Sequence, residues 1–180
     1  MPFQGAARAR LRASVAMLVL MLACAAGAGA TASATAAGSA ASALDPEERA
    51  FCTQINAYRA AKGLAPLRVS TALTRAAGWM SADMAANDYI DHTDSRGRTA
   101  PVRIRIFGFR SAVLGENLAA GMSTAAMTFA QWKAEPAHRR GMLRSNFRLI
   151  GIGRAYSADS TMGWHWATTF GGGRERGVAC

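Results

Sequence analysis

Three histidines and a few isolated acids are the side chains of this 180-residue chain that could move protons or hold a metal. His92 sits in Tyr89-Ile90-Asp91-His92-Thr93-Asp94, and His138 in Trp132-Lys133-Ala134-Glu135-Pro136-Ala137-His138-Arg139. Glu135 and His138 are three residues apart, which puts two side chains on one side of a helical turn. Pro136 stands between them as a helix break. Glu116 is alone in the apolar stretch Gly115-Glu116-Asn117-Leu118-Ala119, where a carboxylate must either face water or be held by a partner. Imidazole nitrogens with carboxylate oxygens suit a borderline divalent ion such as zinc. The same groups could activate water as general acids and bases. They could also form a hydrogen-bonded network that ties helices to a sheet with no metal. His165 alternates with Trp164 and Trp166 and is expected at the surface or at a sheet edge. No H-E-x-x-H zinc motif and no G-x-S-x-G nucleophile turn occurs. Gly121-Met122-Ser123 reads as the lead into a helix cap.

The elements that must position these groups are legible in part. Asp45-Pro46-Glu47-Glu48 is a helix start, with Asp45 as cap, Pro46 at the first helical position and Glu48 at the capping-box spacing. Phe51, Ile55 and Tyr58 follow on one helical face, and Gly63 and Pro66 end the segment. Ser70 opens a second helix, with Leu73, Ala77, Met80 and Met84 as its core stripe, fading near Asn87. Pro101 to Phe107 is expected as a short helix closed by Gly108. Ser123 is expected to cap a third long helix with Met127, Ala130 and Trp132 inward, interrupted at Pro136. The period then changes. Leu149 to Tyr156 and the alternating Trp164 to Phe170 are strand chemistry, and Val113 to Leu118 could supply another strand. Helices first and strands last imply an α+β domain with helices packed on a small antiparallel sheet.

Residues 1–30 have the three parts of a secretory signal. Arg8, Arg10 and Arg12 come first, then an apolar run from Ala13 to about Ala26, then small residues. Cleavage would follow Ala30, Ala34 or Ala36. The apolar run is shorter than the roughly 20 residues that a membrane-crossing helix needs. Met21-Leu22-Ala23-Cys24 loosely resembles an acylation site. Loss of Cys24 with the signal is the reading adopted, and a lipid tether at Cys24 is the alternative. Residues 31–44 read as a linker rich in Ala, Gly and Ser, and residues 45–180 as one domain. The destination is the periplasm or the medium. Without residues 1–30 only Cys52 and Cys180 remain, and two cysteines in an exported protein are expected to pair.

The whole chain carries a net charge of +10, and +7 without its first 30 residues. That balance is compatible with anionic partners, lipid headgroups included, and with peripheral contact with a membrane. The arginines are scattered, and no aromatic stacking platform accompanies them, which argues against nucleic acid.

Several blocks, in order, resemble the CAP superfamily: the SCP-like cysteine-rich secretory, antigen 5 and pathogenesis-related proteins. They are Ile55-Asn56-Ala57-Tyr58-Arg59, Ala76-Ala77-Gly78-Trp79-Met80 with Asp83-Met84-Ala85, His92-Thr93-Asp94, and Gly115-Glu116-Asn117-Leu118-Ala119. Trp132 with His138-Arg139-Arg140-Gly141-Met142-Leu143, then Phe147 to Gly153, then Trp164 to Gly171 complete the series. The resemblance implies an α-β-α sandwich with a central cleft lined by His92, Glu116, Glu135 and His138. In a zinc reading His92 and His138 would bind the ion, and Glu116 and Glu135 would orient the rings or hold a water. The family is also implicated in binding sterols, fatty acids or phospholipids. The expectation is therefore a non-catalytic exported binding module with a lipid or other small ligand. The alternative is a metal-assisted peptidase or esterase that uses the same cluster.

Overall fold

The computed structural model describes residues 44–180. The signal sequence, its cleavage sites, Cys24 and the linker up to residue 43 lie outside the described residues. Leu44, the last residue of the expected linker, is buried and joins the domain core.

The described residues form five helices and four strands. These are α1 (Pro46–Ala60), β1 (Arg68–Val69), α2 (Thr71–Asn87), α3 (Ala100–Ile106), β2 (Leu114–Ala120), α4 (Ala125–Ala134), α5 (Pro136–Met142), β3 (Leu149–Tyr156) and β4 (Trp164–Gly171). The sheet order is β1-β3-β4-β2. β3 and β4 form the antiparallel hairpin from Leu149↔Gly171 to Tyr156↔Trp164, and β2 pairs antiparallel with β4 from Leu114↔Gly171 to Ala120↔His165. The expected antiparallel sheet gains a parallel edge, because β1 runs alongside β3 through Arg68↔Leu149 and Val69↔Ile150. No described helix is long and apolar enough to cross a membrane.

Local chemistry places the helices. Asp45 accepts from the Glu48 N–H at 2.8 Å, and Glu48 accepts from the Asp45 N–H at 2.9 Å, closing the capping box at α1. Glu48 also accepts from the Arg154 N–H at 2.9 Å, which ties the start of α1 to β3. Burial raises the Glu48 carboxyl above its ordinary value, against the hydrogen bonds that it accepts. Ser70 caps α2.

The sheet is covered on both sides, and this makes the sandwich. On one face Phe51 and Ile55 of α1 and Trp132 of α4 pack with Ile150, Ile152, Trp166 and Phe170. Phe51 meets Trp132 edge-on with ring centroids 5.1 Å apart, a geometry worth about 0.5–1.5 kcal/mol beyond area burial. On the other face Ala77, Met80 and Met84 of α2 meet Leu118 and Ala167. There α2 lies directly on β3. A Cβ at Gly151 or Gly153 would fall far inside van der Waals contact of the α2 backbone at Leu73 and at Gly78. Cys52 and Cys180 are bonded, with Cα atoms 5.7 Å apart and a sequence separation of 128.

Two local expectations are corrected. Thr124, not Ser123, caps α4, accepting from the Met127 N–H. The inward positions become Ala125, Thr128 and Trp132, while Met127 and Ala130 face solvent. His165 is fully buried instead of lying at the surface. β4 is an inner strand with both faces covered, so alternation along it does not mark an outside. Burial lowers the His165 pKa below the ordinary imidazole value.

Candidate functional site

β2 is the edge strand around which the candidate residues gather. Successive side chains on a strand point to opposite faces, and Glu116 and Asn117 use this. Glu116 turns towards α3 and the loop after α2, while Asn117 turns towards α5.

On the Glu116 side, Nδ1 of His92 lies 2.9 Å from Oε1 of Glu116. The His92 side chain is 63% exposed and that of Glu116 only 2%. The other oxygen, Oε2, accepts from Nη2 of Arg103, a fully buried guanidinium on α3. Arg103 Nη1 lies 3.6 Å from Oδ2 of the equally buried Asp94, and Asp94 is further held by Arg98 Nε at 2.8 Å. Burial pushes the Asp94 carboxyl up, but donors from Arg98 and the Arg96 N–H outweigh it and leave its pKa below the ordinary value. The hydrogen bond to Glu116 raises the His92 pKa above the ordinary imidazole value, against partial burial.

On the Asn117 side, Nδ2 of Asn117 donates to the His138 carbonyl at 2.9 Å. The close approach of α5 depends on Gly141, since a Cβ there would sit 2.5 Å from Oδ1 of Asn117. Nδ1 of His138 pairs with Oε2 of Glu135. Pro136 shapes this pair as well as breaking the helix. Glu135 has extended backbone, ends α4 and begins α5, so its side chain returns to His138 one turn on. The His138 ring packs on the buried Trp132 with centroids 5.4 Å apart. Side-chain exposures here are 25% for His138 and 43% for Glu135.

The four predicted residues thus stand as two pairs, His92–Glu116 and His138–Glu135. Among the described residues no three His, Cys, Asp or Glu side chains gather as a metal-holding set. In both pairs the carboxylate engages Nδ1, and Nε2 has no hydrogen-bond partner among the described residues. Sequence reasoning missed Arg103 and Asp94. Their only signal was the need of Glu116 for a partner, which did not say which of 19 arginines would serve.

Two recesses border Gly115 and Glu116. One, of about 290 Å³, lies between α3 and β2 and is walled by Ala100, Pro101, Ile104 and Leu114, with His92, Thr93 and Thr99 at its polar edge. The other, of about 430 Å³, is lined by Asn117, Ala137, Arg140, Gly141, Arg144 and Phe147.

Residues 53–170 of this three-layered α-β-α domain match the model of one family, CAP, the cysteine-rich secretory proteins. The chain belongs to it. It is 32% identical over 115 residues to the uncharacterized protein YkwD of Bacillus subtilis, over 64% of this chain and 45% of YkwD, so it spans under half of that relative's length. Its fold is similar to that of an outer surface protein from Borrelia burgdorferi, with a TM-score of 0.65 at 22% identity, covering 73% of this chain and 97% of the other. It is also similar to an extracellular protein containing an SCP domain from Bacillus anthracis, with a TM-score of 0.60 at 24% identity, covering 73% of this chain and 45% of the other.

Proposed function

We propose that this chain is an exported, non-catalytic binding module, and that the recess beside His92 and Glu116 takes a small lipid-like ligand. The observation that carries the reading is the composition of that recess. Ala100, Pro101, Ile104 and Leu114 supply an apolar wall, and His92, Thr93, Thr99 and Glu116 supply a few polar groups on one side. Small-molecule sites combine a mostly apolar lining with a few placed polar groups in this way. A volume of about 290 Å³ suits a single acyl chain or a small amphiphile better than a large lipid. Export is supported by the N-terminal signal pattern and by the Cys52–Cys180 bond.

In the same reading His92 and His138 are the residues that would hold a divalent zinc ion, through the Nε2 atoms left free by the carboxylates. Bound zinc would supply a Lewis-acidic centre. Glu116 and Glu135 keep each ring in one orientation and tautomer. Two imidazoles without a third gathered ligand make a weak, exchangeable site.

The test uses the purified exported protein, with and without zinc. Binding of a fluorescent fatty acid is measured beside turnover of peptides and esters. Saturable fatty-acid binding, weakened by Ala100→Asp at a partly exposed wall position, with no turnover, is the expected result. Turnover that disappears in both His92→Ala and His138→Ala would overturn the binding reading in favour of a hydrolase. Absence of zinc affinity even at millimolar zinc sinks the metal part alone.

A further inference from the structure

We propose that the outer face of α3 docks the protein on an anionic lipid bilayer surface. Two consecutive inner residues of α3 are committed to the domain: Arg103 is fully buried against Asp94 and Glu116, and Ile104 packs with Leu73, Ala76 and Phe109. The outer residues are Pro101, Val102, Arg105 and Ile106, all exposed. Val102 is 44% and Ile106 58% exposed, among the most exposed large apolar residues of the described domain. Val102, Arg105 and Ile106 fall at i, i+3 and i+4, so they share one face.

Positive charge accompanies this apolar face. From Ser95 to Gly115 the chain has five arginines and no acid. Arg98 and Arg103 are spent inside, on Asp94 and Glu116. Arg105 and Arg110 are exposed and make no ion pair among the described residues. The Arg75 guanidinium lies 5.6 Å from the Phe107 ring centroid, which brings a further cation to the end of α3. A docking face for a soluble polyanion would have no use for exposed Val102 and Ile106. Apolar side chains with arginines beside them match the boundary between acyl chains and anionic headgroups. The docking stands apart from the ligand reading above, although Ala100, Pro101 and Ile104 of this helix also wall the recess. A docked α3 would bring that recess to the membrane.

The experiment is sedimentation of the full exported chain, carrying Cys24→Ser to remove any acyl anchor, with vesicles of phosphatidylglycerol and phosphatidylcholine. Binding to mixed vesicles, lost in pure phosphatidylcholine and weakened by salt, is expected. Arg105→Gln with Arg110→Gln should weaken partitioning roughly thirtyfold, at about fivefold for each arginine near an anionic surface. Val102→Ser with Ile106→Ser should weaken it by about tenfold. All four positions are exposed, so circular dichroism and thermal unfolding should match the parent. Unchanged partitioning in either double variant overturns the proposal. So does equal affinity for heparin that ignores the Val102 and Ile106 changes, which would assign the face to a soluble polyanion. Fatty-acid binding is read on the same variants. Its survival in variants that no longer partition supports a docking face separate from the recess, whereas a parent chain that binds fatty acid but no anionic vesicle would sink the docking alone.

Discussion

The two histidine pairs use the same atoms and are built differently. His92 is an exposed ring on a loop, but its carboxylate is buried and anchored by a buried arginine on α3. His138 is the more buried ring, packed on Trp132, while its carboxylate is almost half exposed at a break between two helices. In the first pair the acid is fixed and the imidazole is free to meet a ligand. In the second the imidazole is fixed, by Trp132 and by the Asn117 bond to its own backbone. A buried charge must be paired to persist, so Glu116 needed a guanidinium, whereas water can satisfy Glu135.

Removing Arg103 should break this contrast with the largest effect. Arg103→Met leaves Asp94 and Glu116 buried without that cation and is expected to lower stability by about 3–5 kcal/mol in denaturant unfolding. Glu135→Ala should stay within about 1 kcal/mol, because its pair is partly solvated. Equal losses for the two substitutions would refute the contrast.

Asn117→Ala should come next. It removes the donor to the His138 carbonyl at a buried position and is expected to lower stability by about 1–2 kcal/mol. By proton NMR, the His92 ring resonances should stay in place while those of His138 move. Movement of both rings would mean that the two sides of β2 are coupled.

The smallest effect is in pH dependence. Glu116 raises the His92 pKa, so this pair contributes stability that is fully present below the ordinary imidazole value. That contribution is lost as pH rises through the raised value. Exposure of the His92 ring keeps it small. Glu116→Gln should bring the His92 titration, followed by NMR, back towards the ordinary value. Glu135→Gln should leave it unmoved.

Much of this fold is legible in the amino-acid sequence. Asp45 and Ser70 announce their helices because an N-cap uses a side chain within three residues of the donors it serves. The ordered family blocks lead to the α-β-α sandwich, and Cys52 with Cys180 to the disulfide. Arg103 is not legible, because its partners lie 9 and 13 residues away and only the packed fold brings α3 against β2. β1 is two residues long, too short to show a period. His165 misleads for the opposite reason: an alternating pattern implies an outside, and β4 has none. Thr124 displaces Ser123 as the cap of α4, and a shift of one residue turns Met127 out to solvent.

Where α2 rests on Gly151 and Gly153, main-chain atoms of the helix and of the strand set the distance between the two layers. Such a spacing works as a fixed gauge. Exchanging apolar side chains along α2 can change how the core is filled, but it cannot bring helix and strand closer, and any side chain at those two glycines would force them apart. The α2 layer is thus a rigid reference plane. Drift in ligand preference among chains that share it would have to be written on α3 and the edge strand, which wall the recess beside Glu116.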